Sequence, residues 1–173
     1  MTQKLITLGG GFLLAVLWFD LMFDVQVWPH WGAETLPEDA LVSIATYYAR
    51  VTTAAAPMNL LVGGVMFLTI GAVIHNLFRG EHRLWVRVGT LVLVSVPVIA
   101  AQLVIFPGAK QLATRADTLA VQTALANAIF TAHVVCFAAI ALMLALQFLP
   151  TRKTWQAYAP LDAEMRLLLR RAR

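Results

Sequence analysis

Residues 18–30 read Trp18-Phe19-Asp20-Leu21-Met22-Phe23-Asp24-Val25-Gln26-Val27-Trp28-Pro29-His30, and they close an apolar run that begins at Leu5. On a helix, Asp20 and Asp24 stack one turn apart on one face. A carboxylate inside an apolar run is costly without a partner, a proton or a water-filled cavity. The run spans residues 5–28, enough to cross a hydrocarbon core of about 30 Å, which takes about 20 helical residues. Its length, Asp20 and the lack of a small-x-small site argue against a cleaved signal peptide, so a retained helix is expected.

The rest of the chain repeats this theme. Of its 173 residues, 60% are hydrophobic and only 13% charged, with mean hydropathy +0.76. Soluble domains carry about a quarter charged residues, so the composition belongs to integral membrane proteins. Further apolar runs cover residues 51–78, 84–107 and 119–149. The expected fold is therefore an all-α membrane protein: four transmembrane helices in an up-down bundle over residues 1–150. Residues 151–173 form a basic tail, in which residues 161–173 read as a short amphipathic helix.

Between the first two runs, Pro37-Glu38-Asp39 reads as a helix start, with Leu41, Ile44 and Tyr48 at helical spacing. This helix is expected to continue into the second span and to kink at Pro57. Trp28, Trp31, Tyr47 and Tyr48 read as headgroup-level aromatics. Residues 108–118 read as a polar loop.

Orientation follows from charge. Ten lysines and arginines lie in the N-terminus, the 79–87 region and the tail. Three lie elsewhere: Arg50, Lys110 and Arg115. Both termini are therefore expected in the cytoplasm of a cell with a bacterial-type inner membrane, as a multi-pass protein. The basic residues flank apolar runs and form no polar face, which speaks against nucleic acid as a partner. The single cysteine, Cys136, allows no intrachain disulfide.

Counting depth at about 1.5 Å per residue puts Asp20, Asn59, Gln102 and Asn127 in one layer of the outer half, with His133 deeper. Asp20, Asp24, Arg50, Asn59, Gln102, Asn127 and His133 are thus the candidate ligand-binding residues of an outward-facing polar pocket. Asp20 is either a ligand or proton site or a buried ion-pair partner of Arg50. Asp24 is expected at the interface, paired with Arg50 or Lys110. The amides also suit interhelical packing alone.

No set of catalytic residues is readable. There is no zinc-type Cys/His spacing and no Glu-x-x-His pair, so no metal is expected. His133 lacks a second histidine at its depth, which disfavours haem and leaves a quinone or lipid as the candidate bound molecule. The run Tyr47-Tyr48-Ala49-Arg50, followed by Pro57-Met58-Asn59 before a glycine-containing span, resembles the anthrone-oxygenase-like family of small four-helix membrane proteins. The resemblance covers residues 10–145. It implies the four-helix architecture, and no residue here carries an oxygenase activity across. The leading expectation is binding, of a hydrophobic small molecule or of a partner membrane subunit that the protein stabilises. The rivals are a membrane oxidoreductase or oxygenase acting on a lipid-soluble aromatic or quinone, and a small oligomeric transporter.

Overall fold

The computed structural model describes residues 1–151; the expected amphipathic helix at 161–173 lies outside the described residues. Six α-helices account for most of the chain: α1 (Thr2–Asp24), α2 (Glu38–Thr53), α3 (Ala56–Arg79), α4 (Leu84–Ala100), α5 (Phe106–Thr114) and α6 (Leu119–Gln147). A 3-10 turn (Val25–His30) continues α1, and a π-helical segment (Ala101–Ile105) joins α4 to α5. Four of the resulting helical stretches are long and apolar enough to cross a membrane: Thr2–His30, Pro57–Arg79, Leu84–Thr114 and Leu119–Gln147.

Two of these bounds differ from the expected spans. The helix entered at Glu38 does not run into the second span. It stops at Thr53, and a new helix starts at Ala56 with Pro57 in its first turn. Proline has no N–H to give, so the start of a helix is where it fits without a kink. Asn59 Nδ2 donates to the carbonyl of Val51 (2.9 Å), closing the break between the two helices. The third stretch runs on to Thr114, so 108–114 are helical and not loop. Arg115 ends α5 in the left-handed region (φ 55°), and its guanidinium is held by Glu38 and Gln122.

The four long stretches pack in pairs: α1 lies along α3 and α6, and α4 lies along the same two helices. The start of α1 meets the ends of α3 and α6. Thr2 Oγ1 lies 3.2 Å from His75 Nδ1, and Gln3 Nε2 donates to the Gln147 carbonyl at 2.9 Å. Gln147 also donates to Thr90 near the start of α4 (3.0 Å). One apolar core near this end gathers Ile6, Ala72, Val73, Val94, Ile140 and Met143. Outer faces carry large exposed apolar side chains, among them Leu8, Phe67 and Leu103. Contiguous exposed apolar surface of this kind suits acyl chains and not water.

A second core forms at the other end, where α2 and α5 pack on each other over the start of α6. It includes Val27, Leu41, Ile44, Tyr48, Leu112, Ile129 and Phe130. Here α2 is amphipathic in the ordinary sense: Leu41, Ile44, Ala45 and Tyr48 are buried at helical spacing. Burying that stripe lays α2 back across the ends of α1 and α6, and this positions the site.

Candidate functional site

Asp24 is the last residue of α1 and is only 1% exposed. Its carboxylate accepts from the Tyr48 hydroxyl (2.7 Å to Oδ1, 2.9 Å to Oδ2), and its Oδ2 lies 2.6 Å from His133 Nδ1. With the carboxylate as acceptor, the hydrogen of that last contact is supplied by the imidazole Nδ1. His133, on α6, is 2% exposed. Its other nitrogen, Nε2, lies 3.8 Å from Asp20 Oδ2, and Asp20 Oδ1 accepts a hydrogen bond from Tyr47.

Three helices thus supply one connected array. The α1 spacing puts both carboxylates on one face, as its periodicity requires. The α2 stripe that buries Tyr48 also sets Tyr47 beside Asp20, where its ring stacks on Phe23 (4.0 Å between centroids, 9° between planes). Burial, and then the neighbouring Asp20 carboxylate, push the acidity of Tyr47 up. Burial and Asp24 do the same to Tyr48. Both phenols therefore stay neutral donors at physiological pH, satisfying carboxylates that would otherwise be costly in apolar surroundings.

The imidazole sits differently. Asp24 fixes its tautomer and ring orientation, leaving Nε2 as the basic nitrogen, directed towards Asp20 on the less enclosed side. The side chain of Asp20 is 19% exposed against 1% for Asp24. An imidazole oriented by one carboxylate and open at its other nitrogen is the arrangement that takes and returns protons in acid–base catalysts. An apolar groove of about 400 Å³ also runs between α1 and α6, lined by Trp18, Leu21, Met22, Val25, Phe130 and Val134, and none of the array's side chains is in its lining. Among the described residues no group of three suits a metal ion.

Of the seven residues expected in the pocket, the structure brings together Asp20, Asp24 and His133. Arg50 is exposed and pairs with neither carboxylate. It follows Tyr48 by two positions, about 200° round the helix, so it faces away from the site. Its backbone carbonyl instead accepts from Ala54 (2.9 Å) and Ala55 (3.2 Å) at the end of α2. The structure therefore forms neither the Asp20–Arg50 pair, one of the two alternatives for Asp20, nor a pair of Asp24 with Arg50 or Lys110; the partners of Asp24 are Tyr48 and His133, both buried. Lys110 is likewise exposed on α5. Asn59 closes the α2–α3 break, and Gln102 is exposed on the π-helical segment. Asn127 donates to the Thr123 carbonyl of its own helix (3.0 Å) and lines a separate, open groove. Tyr47 and Tyr48 belong to the site, although the sequence reading put both among the headgroup-level aromatics and Tyr48 on the α2 stripe and named neither as a site residue.

No protein-family model, no curated protein and no solved structure matches this chain.

Proposed function

We propose that this protein is a multi-pass inner-membrane protein, an up-down four-helix bundle with both termini cytoplasmic. Its outward half holds an acid–base site for a lipid-soluble small molecule that bears an ionisable or hydrogen-bonding group. The observation that carries this reading is the His133 imidazole, oriented by Asp24 at Nδ1 and directed at Asp20 through Nε2. A quinol or phenol fits the chemistry: its hydroxyl would exchange a proton with His133, approached from the side of Asp20, the less enclosed of the two carboxylates. The ten-to-three excess of basic residues supports the orientation.

The test is organic extraction and mass spectrometry of the protein purified in mild detergent, alongside Asp20→Asn and His133→Gln. A lipid-soluble compound retained by the wild type and lost from folded variants is the expected result. Bulk lipids alone in all three extracts would refute the reading. Orientation is checked separately: cysteines at Thr35 and Thr114 should react with an impermeant thiol reagent from outside intact cells, and one at Glu81 should not.

One observation favours a second reading, a docking surface for a partner membrane subunit. An open groove of about 650 Å³ exposes Gly32, Ala33, Ala128 and Ala132 beside Asn127 and Thr131. Small residues of this kind let another helix approach closely. A stoichiometric co-purifying subunit, lost on Ala128→Leu, would support it.

A further inference from the structure

The opposite end of the molecule holds a second polar cluster, independent of the acid–base site. A pocket of about 250 Å³ opens between the start of α1 and the end of α3, lined by Thr2, His75, Asn76, Arg79 and His82 among others. His82 is only 2% exposed, yet among the described residues neither of its ring nitrogens has a hydrogen-bond partner. Buried polar groups are almost always satisfied, so an imidazole with two empty nitrogens on a pocket wall points to a group that completes it.

The surrounding charge says what kind of group. Arg79 stands exposed at the rim, and the first turn of α1 has no acidic residue and no side-chain cap. Its unsatisfied N–H groups add positive potential. The α3 end, which would repel an anion, is occupied: Gly80 N–H donates to the Asn76 carbonyl, and Arg87 Nη1 to the Leu77 carbonyl (2.8 and 2.7 Å). Glu81 is the carboxylate in the lining, and it has an interaction of its own. On the two helices that flank the pocket, Leu8 of α1 and Phe78 of α3 are more than 70% exposed. A charged head with acyl chains attached would meet apolar surface where its chains run.

We propose that this pocket binds a phosphate group, presented by an anionic lipid or as free phosphate, with Arg79 and His82 donating to its oxygens. Such a site would anchor a lipid at the basic end of the bundle while the outer end handles its own ligand.

The experiment uses the full chain in detergent, titrated with phosphatidylglycerol, with phosphatidylcholine, and with inorganic phosphate at constant ionic strength. Retained lipid is read by native mass spectrometry and the unfolding temperature in parallel. Phosphatidylglycerol should bind and raise the unfolding temperature. Arg79→Gln should weaken that binding about fivefold, the value of one basic contact at a charged surface. His82→Gln should weaken it as well, and Lys4→Gln, which removes a charge at the same end outside the pocket, should not. If His82→Gln fails to fold, the exposed Arg79 carries the test. An effect of phosphatidylglycerol alone assigns a lipid headgroup; an equal effect of inorganic phosphate assigns the free anion. Equal binding of both lipids with no phosphate effect, or equal weakening by Arg79→Gln and Lys4→Gln, would overturn the proposal.

Discussion

His133 Nδ1 lies 2.6 Å from Asp24 Oδ2, a contact between residues 109 positions apart. It ties the end of α1 to the middle of α6, and both partners are out of contact with solvent. Removing one member of such a pair takes a close polar partner from the other, which stays buried. Asp24→Asn and His133→Gln should therefore each destabilise by about 3–5 kcal/mol. The double variant should recover part of that loss. Positions 20 and 50 should instead be additive within about 0.5 kcal/mol, since they share no partner. Unfolding in detergent of the single and double variants measures both cycles. Additivity at 24 and 133 would show that the contact is energetically idle.

The two tyrosines separate by the exposure of their acceptors. Tyr48→Phe takes the hydroxyl from a wholly buried carboxylate and should cost about 1.5–3 kcal/mol, the range for a bond to a charged group. Tyr47→Phe should cost less, because the Asp20 side chain keeps 19% of its surface open to water. Equal losses would contradict this difference in enclosure.

The histidine at the other end makes a pH prediction. Burial, reinforced by Arg87 and opposed by Glu81, holds His82 below its ordinary value of 6.5. The unfolded chain then binds a proton more readily than the folded one. Stability should therefore be complete above about pH 6.5 and fall as the pH drops towards the folded value. His75, which contacts Thr2, and Arg79 are the other basic groups nearby. In phosphate-free zwitterionic micelles, the unfolding temperature should fall more from about pH 7.5 to about pH 5.5 in wild type than in His82→Gln. Parallel curves would show that His82 does not contribute.

Gly9 and Gly11 face opposite fates on α1. A Cβ at Gly9 would meet Thr69 Oγ1, which already bonds the Val65 carbonyl (2.7 Å), whereas a Cβ at Gly11 meets nothing within 4 Å. Gly9→Leu should force α1 from α3 and cost about 1–3 kcal/mol. Gly11→Leu should be neutral within about 0.5 kcal/mol. Thermal unfolding in detergent compares them directly.

The four apolar stretches were legible in composition and run length, and the shared face of Asp20 and Asp24 followed from a spacing of four. The partners of those carboxylates were not. α6 is apolar nearly all round, so no stripe in its sequence says that His133 faces inward. Depth counting set Gln102 and Asn59 level with Asp20 but carries no information about rotation, and both point elsewhere. Tyr47 and Tyr48 were not read as partners of the carboxylates, because a straight continuation of α2 into the second span carries them away from α1. The signal was present in Leu41, Ile44 and Tyr48: a stripe that strong needs a surface to cover, and the end of α1 is nearby.

The long separation of Asp24 from His133 has a consequence for biosynthesis. Chains emerge N-terminus first, so both carboxylates of α1 are made well before the helix whose His133 contacts them. During that interval α2, which follows directly, is the nearest source of donors through its two tyrosines. A nascent chain halted before α6 would leave Asp24 with Tyr48 as its donor and without the imidazole contact. Arrival of α6 is then the step that turns a liability of insertion into a closed site.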